Sequence, residues 1–207
     1  MRPLLAPLIS AAIAMAPPAP AAPALAETHA LAEVAAHLRG ISTMTADFVQ
    51  TDRDGKALSG TLSLKQPGRI RFQYQKGVPL LIVGDGNALT MIDYSVRQVS
   101  RWPVGNSPLS VLIDPRKDMS RFARTLPSAI PGTVLVEARD PKHAEFGTIT
   151  IAFSAGRGPG GLTLQGWSVL DAQNGRSTVR LTNQRYGVPI SDRTFKWDDP
   201  RPKGPQK

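Results

Sequence analysis

The stretch T-L-S-L-K-Q-P-G-R-I-R-F-Q-Y, Thr61 to Tyr74, decides the fold. Apolar residues fall at every second position on both sides of Pro67-Gly68: Leu62 and Leu64 before the break, Ile70, Phe72 and Tyr74 after it. Ser63, Lys65, Arg69, Arg71 and Gln73 fill the polar positions between them. A period of two puts one set of side chains on each face of a strand, so the stretch predicts two half-buried strands. Pro-Gly supplies the turn between them. The pattern leaves open whether the apolar face covers an ordinary core or walls a cavity for an apolar ligand.

Working outward, the same period recurs. Met44, Ala46 and Phe48 share a face, and Asp54-Gly55 marks a hairpin turn before Leu58. Leu80 to Val83, Ala88 to Ile92 and Val96 to Trp102 follow, separated by turn residues at Asp85-Gly86-Asn87 and Asp93-Tyr94. Phe48 to Trp102 therefore predicts about six short strands in an antiparallel meander. Upstream the period is helical: Leu31, Val34, Leu38 and Ile41 predict a helix over Glu27 to Ile41, with Gly40 near its end. Ser107 to Ile113 opens with Ser-Pro and predicts another helix, and Asp114 to Leu126 a further short one with Met119, Phe122 and Leu126 on one side. Strands return at Thr133 to Ala138, Phe146 to Ser154, Gly161 to Asp171 and Ser177 to Asn183, the last pair joined by a turn through Asn174-Gly175. The expected fold is mainly β, a curled antiparallel sheet with helices against its concave side. Pattern alone leaves open whether those helices fill the concavity or only cap it.

The ends of the chain read differently. Arg2, an apolar run from Leu4 to Met15 and the motif Ala24-Leu25-Ala26 have the layout of a secretory signal peptide, with cleavage expected after Ala26. The run is shorter than the roughly 18–20 residues that span a bilayer. This divides the chain into a leader over 1–26, one domain over 27–197 and a loose Pro- and Lys-rich tail over 198–207.

The chain contains no cysteine, which removes disulfides, thiolate metal sites, a cysteine nucleophile and lipid attachment at a cysteine. His29 and His37 on the first helix and His143 in a turn lack the spacing of metal ligands and are expected to be isolated and solvated. No nucleophile elbow or phosphate loop is present. Gly156 to Gly161, G-R-G-P-G-G, lacks the following Lys-Ser/Thr and reads as a plain loop. No metal, cofactor or catalytic group is expected, and the chain does not read as an enzyme. The net charge is +9, but the cations alternate along strands and form no block, and export argues against nucleic acid. They suit a solvated outer face or one that meets anionic lipid headgroups.

The ordered blocks A-D-F-V-Q (46–50), G-T-L-S-L-K-Q-P-G-R-I-R-F-Q-Y (60–74), L-L-I-V-G-D-G-N-A-L (80–89), Q-V-S-R-W-P (98–103) and S-P-L (107–109) resemble the periplasmic outer-membrane lipoprotein carrier family, LolA. The resemblance implies a half-open antiparallel β-barrel of about 11 strands under a helical lid, around an apolar cavity. It implies a soluble, monomeric periplasmic carrier. Such carriers take lipoproteins from an ATP-driven inner-membrane transporter, shield their acyl chains and deliver them to an outer-membrane lipoprotein receptor or to the anionic membrane surface. Carriage of a non-protein lipid, or a lipoprotein-sensing regulatory role on the same fold, are the alternatives. The acyl chains are expected to meet Phe48, Leu62, Leu64, Ile70, Phe72, Tyr74, Leu80, Ile82, Leu89 and Met91. Leu31, Val34, Leu38, Leu109 and Leu112 would belong to the lid. Members of the family often carry Arg just before the Pro of the second block, linked to lid closure. Here Gln66 stands there, so Gln66, Arg69 and Arg71 are the candidates for a lid latch or a surface contact.

Overall fold

The computed structural model describes residues 23–103, 110, 118–119, 122–140 and 142–202. Its elements in chain order are α1 (Pro23–Gly40), β1 (Thr43–Thr51), β2 (Ala57–Lys65), β3 (Arg69–Tyr74), β4 (Leu80–Asp85), β5 (Ala88–Asp93), β6 (Gln98–Pro103), β7 (Ala123–Leu126), β8 (Thr133–Arg139), β9 (Thr148–Ala155), β10 (Leu162–Leu170) and β11 (Arg176–Tyr186). Three short 3-10 turns, Ala144–Phe146, Pro159–Gly161 and Asp192–Phe195, lie between or after the later strands.

All eleven strands form one antiparallel sheet in the order β6-β5-β4-β3-β2-β1-β11-β10-β9-β8-β7. Two meanders, β1 to β6 and β7 to β11, are joined where β1 pairs with β11. Strands β6 and β7 remain as edges, so the sheet is curled but unclosed. The curl can be gauged from Phe72 on β3 and Trp167 on β10. Four strand steps separate them, about 19 Å across a flat sheet at about 4.8 Å per strand. Their ring centroids are 6.0 Å apart, edge to face. The inner faces of the two meanders therefore close on one another.

Period-two alternation sorts the side chains as the sequence predicts. Met44, Phe48, Leu62, Leu64, Ile70, Phe72 and Tyr74 face inward with Val136, Ile151, Phe153, Leu164, Trp167 and Leu181 in a single core. The helix α1 lies on this inner face and adds Val34, Leu38 and, just past its end, Ile41. It starts at Pro23, earlier than the helix expected from Glu27. Ala123–Leu126, expected within a helix, is instead strand β7 paired with β8. Four residues are too few to show a period, and pairing along the edge decides the conformation. The expected helix at Ser107–Ile113, with Leu109 and Leu112, lies outside the described residues apart from Ser110. Residues 1–22 of the expected leader lie outside them as well.

One strand glycine is required by space. Gly60 sits between Phe48 on β1 and Tyr74 on β3 in the inner row. A Cβ there would come within 2.1 Å of the Gln73 carbonyl oxygen and 2.8 Å of both the Phe48 ring and the Tyr74 Cα. Its absence lets the Phe48 and Tyr74 rings meet across the strand at 5.2 Å, edge to face. Gly60→Ala is expected to cost about 1–3 kcal/mol through overpacking. A urea denaturation midpoint equal to that of the parent would show that the row has slack.

Candidate functional site: an apolar inner wall

The inner face of β1 to β6 is built in rows. One runs Met44, Leu64, Ile70, Gly84, Leu89, Trp102, and the next runs Ala46, Leu62, Phe72, Ile82, Met91, Ser100. Burial falls along both. Met44 is 0 % exposed and Ile70 5 %, Leu89 is half-buried, and Trp102 on the edge strand is 48 % exposed. In the second row Leu62 and Phe72 are buried, while Ile82 and Met91 are half-buried. The ten residues expected to face acyl chains thus share one face but split into two groups. Phe48, Leu62, Leu64, Ile70, Phe72 and Tyr74 belong to the packed core, and Leu80, Ile82, Leu89 and Met91 continue the wall where it is less covered.

The wall is dry in character. Tyr74 donates its hydroxyl to Gln50 Oε1, and burial pushes its pKa up to about 12, so it stays neutral. Phe72 packs edge to face against both Phe48, at 5.3 Å, and Trp167. Among the lid candidates, Val34 and Leu38 are buried and Leu31 packs beside them. Ring-to-ring and aliphatic contacts of this kind exclude water without fixing the shape of a ligand. Among the described residues no group of acidic or histidine side chains is arranged to hold a metal.

The three latch candidates are placed elsewhere. Gln66 spends its side chain on its own turn, Oε1 accepting from the Gly68 N–H at 3.1 Å. Arg69 and Arg71 lie on the outer face, opposite α1, and hold the chain segment that follows β11. Arg69 and Lys65 both pair with Asp192, at 2.7 and 2.6 Å. Lys65 also donates to the Ile190 carbonyl, and Arg71 donates to the carbonyls of Thr194 and Lys196, each at 3.0 Å. The hydrogen bonds from Lys65 and Arg69 to Asp192, and their charges, hold its carboxyl below its usual range. The clamped segment lays Phe195 and Trp197 over Leu81, Val83 and Ile92. Of the two roles expected for Arg69 and Arg71, a lid latch or a surface contact, the contacts described here are of the second kind: both residues fasten a strap on the outer face. Both guanidinium groups are engaged by this segment. Pairings between residues more than 120 positions apart left no signal in the sequence.

A cavity of about 440 Å³ also opens on the outer face, lined by Thr45, Asp47, Thr61, Asn183 and Arg185 among others. It lies where the β1–β11 register slips between Thr45 and Asp47. Its lining side chains come mainly from the face opposite the apolar wall, so the two are separate features.

The expected solvated histidines divide. His29 pairs with Glu33 at 3.1 Å and His143 with Glu145 at 2.9 Å, both exposed. His37 is instead fully buried. Its Nδ1–H donates to the Pro159 carbonyl at 2.6 Å. The helical spacing that places Val34 and Leu38 inward also carries His37 inward, which the sequence pattern allowed but did not require.

Residues 39–198 match the family model described as outer membrane lipoprotein carrier protein LolA. The outer-membrane lipoprotein carrier protein of Chromobacterium violaceum is 39% identical over 119 residues, covering 54% of this chain and 55% of that one, so the chain spans about half the length of this relative. The protein of the same description from Dechloromonas aromatica is 25% identical over 189 residues, covering 86% and 88%. A solved domain from Vibrio parahaemolyticus, assigned to outer membrane lipoprotein sorting, superposes with a TM-score of 0.50 at 9% identity over 83% of this chain and 96% of that one. At that identity the likeness is one of fold.

Proposed function

This chain belongs to the LolA family of outer membrane lipoprotein carrier proteins, and on that premise we propose that it carries lipoproteins across the periplasm with their acyl chains against the inner wall of the sheet. The observation that supports this most directly is the gradient of burial along the two inner rows. An apolar face that only served a core would end in buried residues; this one runs on through Leu80, Ile82, Leu89 and Met91 to the half-exposed Trp102.

The energetics fit such a role. An acyl chain gains about 0.8 kcal/mol per buried methylene, so a chain of roughly fifteen costs on the order of 12 kcal/mol to hold bare in water. A carrier needs apolar surface and a way to open it, and no chemistry. In this reading residues 1–26 are removed on export. The cargo is received from an ATP-driven transporter at the inner membrane and handed to the outer membrane. No helix among the described residues is long and apolar enough to cross a membrane.

The test is to purify the exported protein under mild conditions and identify bound material by mass spectrometry. Triacylated lipoprotein at near-stoichiometric yield is the expected result. A free glycolipid in its place, with no release of lipoprotein from inner-membrane vesicles on adding the purified protein, would replace this reading by carriage of a non-protein lipid.

A further inference from the structure

The loop G-R-G-P-G-G and the buried His37 form one device. The loop joins β9 to β10 and receives the C-terminal half of α1. A Cβ on Gly158 would lie 2.9 Å from His37 Cε1, and a Cβ on Gly40 would lie 2.5 Å from Pro159 Cβ. The glycines thus allow backbone-close docking of the helix on the loop. His37 stands at the centre of this contact. It is 0 % exposed, donates from Nδ1 to the Pro159 carbonyl, and meets Phe153 at 5.6 Å and Tyr186 at 5.9 Å, both edge to face. Its Nε2 is buried and has no hydrogen-bond partner.

We propose that His37 is a pH-gated latch: protonation of its imidazole releases α1 from the Gly158–Gly161 loop and uncovers the apolar inner face beneath the helix.

The neutral ring suits this site better than a charged one: its Nδ1–H is satisfied by the Pro159 carbonyl, and only the uncharged Nε2 lone pair is left without a partner. An imidazolium does not suit it, since its second N–H would be buried without an acceptor and its charge without a counterion. Among the described residues the groups around it offer no rescue. On α1, Glu33 is engaged with His29, and Arg39 is exposed and of the same sign. The loop contributes exposed Arg157. From β11, the Tyr186 hydroxyl accepts the Leu164 N–H, and burial raises that phenol, so it supplies no negative charge; Arg185 lies on the outer face. Phe153 and its neighbours on β9 carry no charge. Among the described residues no carboxylate pairs with His37.

The sign follows from linkage. Burial pushes the docked imidazole below its ordinary value of 6.5, while a released one returns to it. The released state therefore binds the proton more tightly. Docking is at full strength above about pH 6.5 and is lost as pH falls from there toward the docked-state value. One proton sets the slope, at most about tenfold in the docking equilibrium per pH unit.

Hydrogen exchange of the full chain without lipid, corrected for intrinsic rates and followed from pH 7.5 to 5, tests this independently of any cargo. The expected result is a fall in α1 protection approaching tenfold per pH unit in the acid range, with β1 and β11 unchanged. His37→Phe, which keeps a ring in the site, should hold α1 protection constant over the same range. The proposal is overturned if wild-type α1 protection does not change, or if His37→Phe loses it in the same way. Should His37→Phe fail to fold, the wild-type ring titration by NMR decides: a His37 that titrates at 6.5 or above while α1 stays protected removes the latch.

Discussion

Replacing Phe48 by alanine is expected to destabilise the protein by about 3–5 kcal/mol, the range for removing a buried aromatic ring. Phe48 is 1 % exposed and meets Phe72 at 5.3 Å and Tyr74 at 5.2 Å, so its loss opens a cavity at the centre of the inner face. The walls of that cavity are strands held by their own ladders, which limits how far they collapse onto it. For a protein of this size each kcal/mol shifts Tm by about 2–4 °C, so the midpoint should fall by roughly 10 °C. Val49→Ala, one residue along on the exposed outer face, should move stability by no more than about 0.5 kcal/mol and serves as the control. A Phe48→Ala loss below about 1 kcal/mol would mean that the inner face is not packed as described.

The second large effect is on cargo. Met91 is half-buried and lies beside Ile82 in the outer part of the wall, beyond the closely packed Phe72. Met91→Glu puts a carboxylate where an acyl chain is proposed to lie, while the partial exposure lets the charge stay hydrated in the empty protein. Burying it under an acyl chain costs a few kcal/mol, and each 1.4 kcal/mol is about tenfold in affinity. Lipoprotein release from inner-membrane vesicles should therefore fall by about tenfold or more, with circular dichroism and Tm close to the parent. Full release by a folded Met91→Glu protein would place the acyl chains elsewhere. The same substitution at Phe72 is a poorer probe. That ring is 7 % exposed between Phe48 and Trp167, and a carboxylate there would unfold the sheet before it could report on cargo.

What the sequence made legible was whatever is local. Alternation in Thr61 to Tyr74 sorted five wall residues, Leu62, Leu64, Ile70, Phe72 and Tyr74, onto one face, and Asp54-Gly55 and Asn174-Gly175 placed their turns. In the second of these, Asn174 adopts φ 61°, as an Asn-Gly hairpin requires. The extent of covering was not legible, because a period of two assigns a face and says nothing about what lies over it. Hence Phe72 and Met91 looked alike and differ in burial. Long-range polar contacts were equally silent: nothing near Lys65 and Arg69 announces Asp192, and a histidine at helical spacing with Val34 and Leu38 gave no sign of Pro159. Gly60 was the one missed residue with a local signal, an isolated glycine inside a strand.

The seam between β1 and β11 has a consequence for the order of events in folding. The first strand of the sheet finds its neighbour on one side at once, in β2, but on the other side only in the last strand. Phe48 waits for Leu181, more than 130 residues later. Contacts this far apart raise the contact order and slow folding, since the loop must close before the pairing rewards it. The core completes only once residues as late as Leu181 are in place, and the strap carrying Phe195 and Trp197 can seal Leu81 and Val83 only after that. A chain so arranged stays incomplete until nearly all of it is available, a property that would suit the export proposed for it.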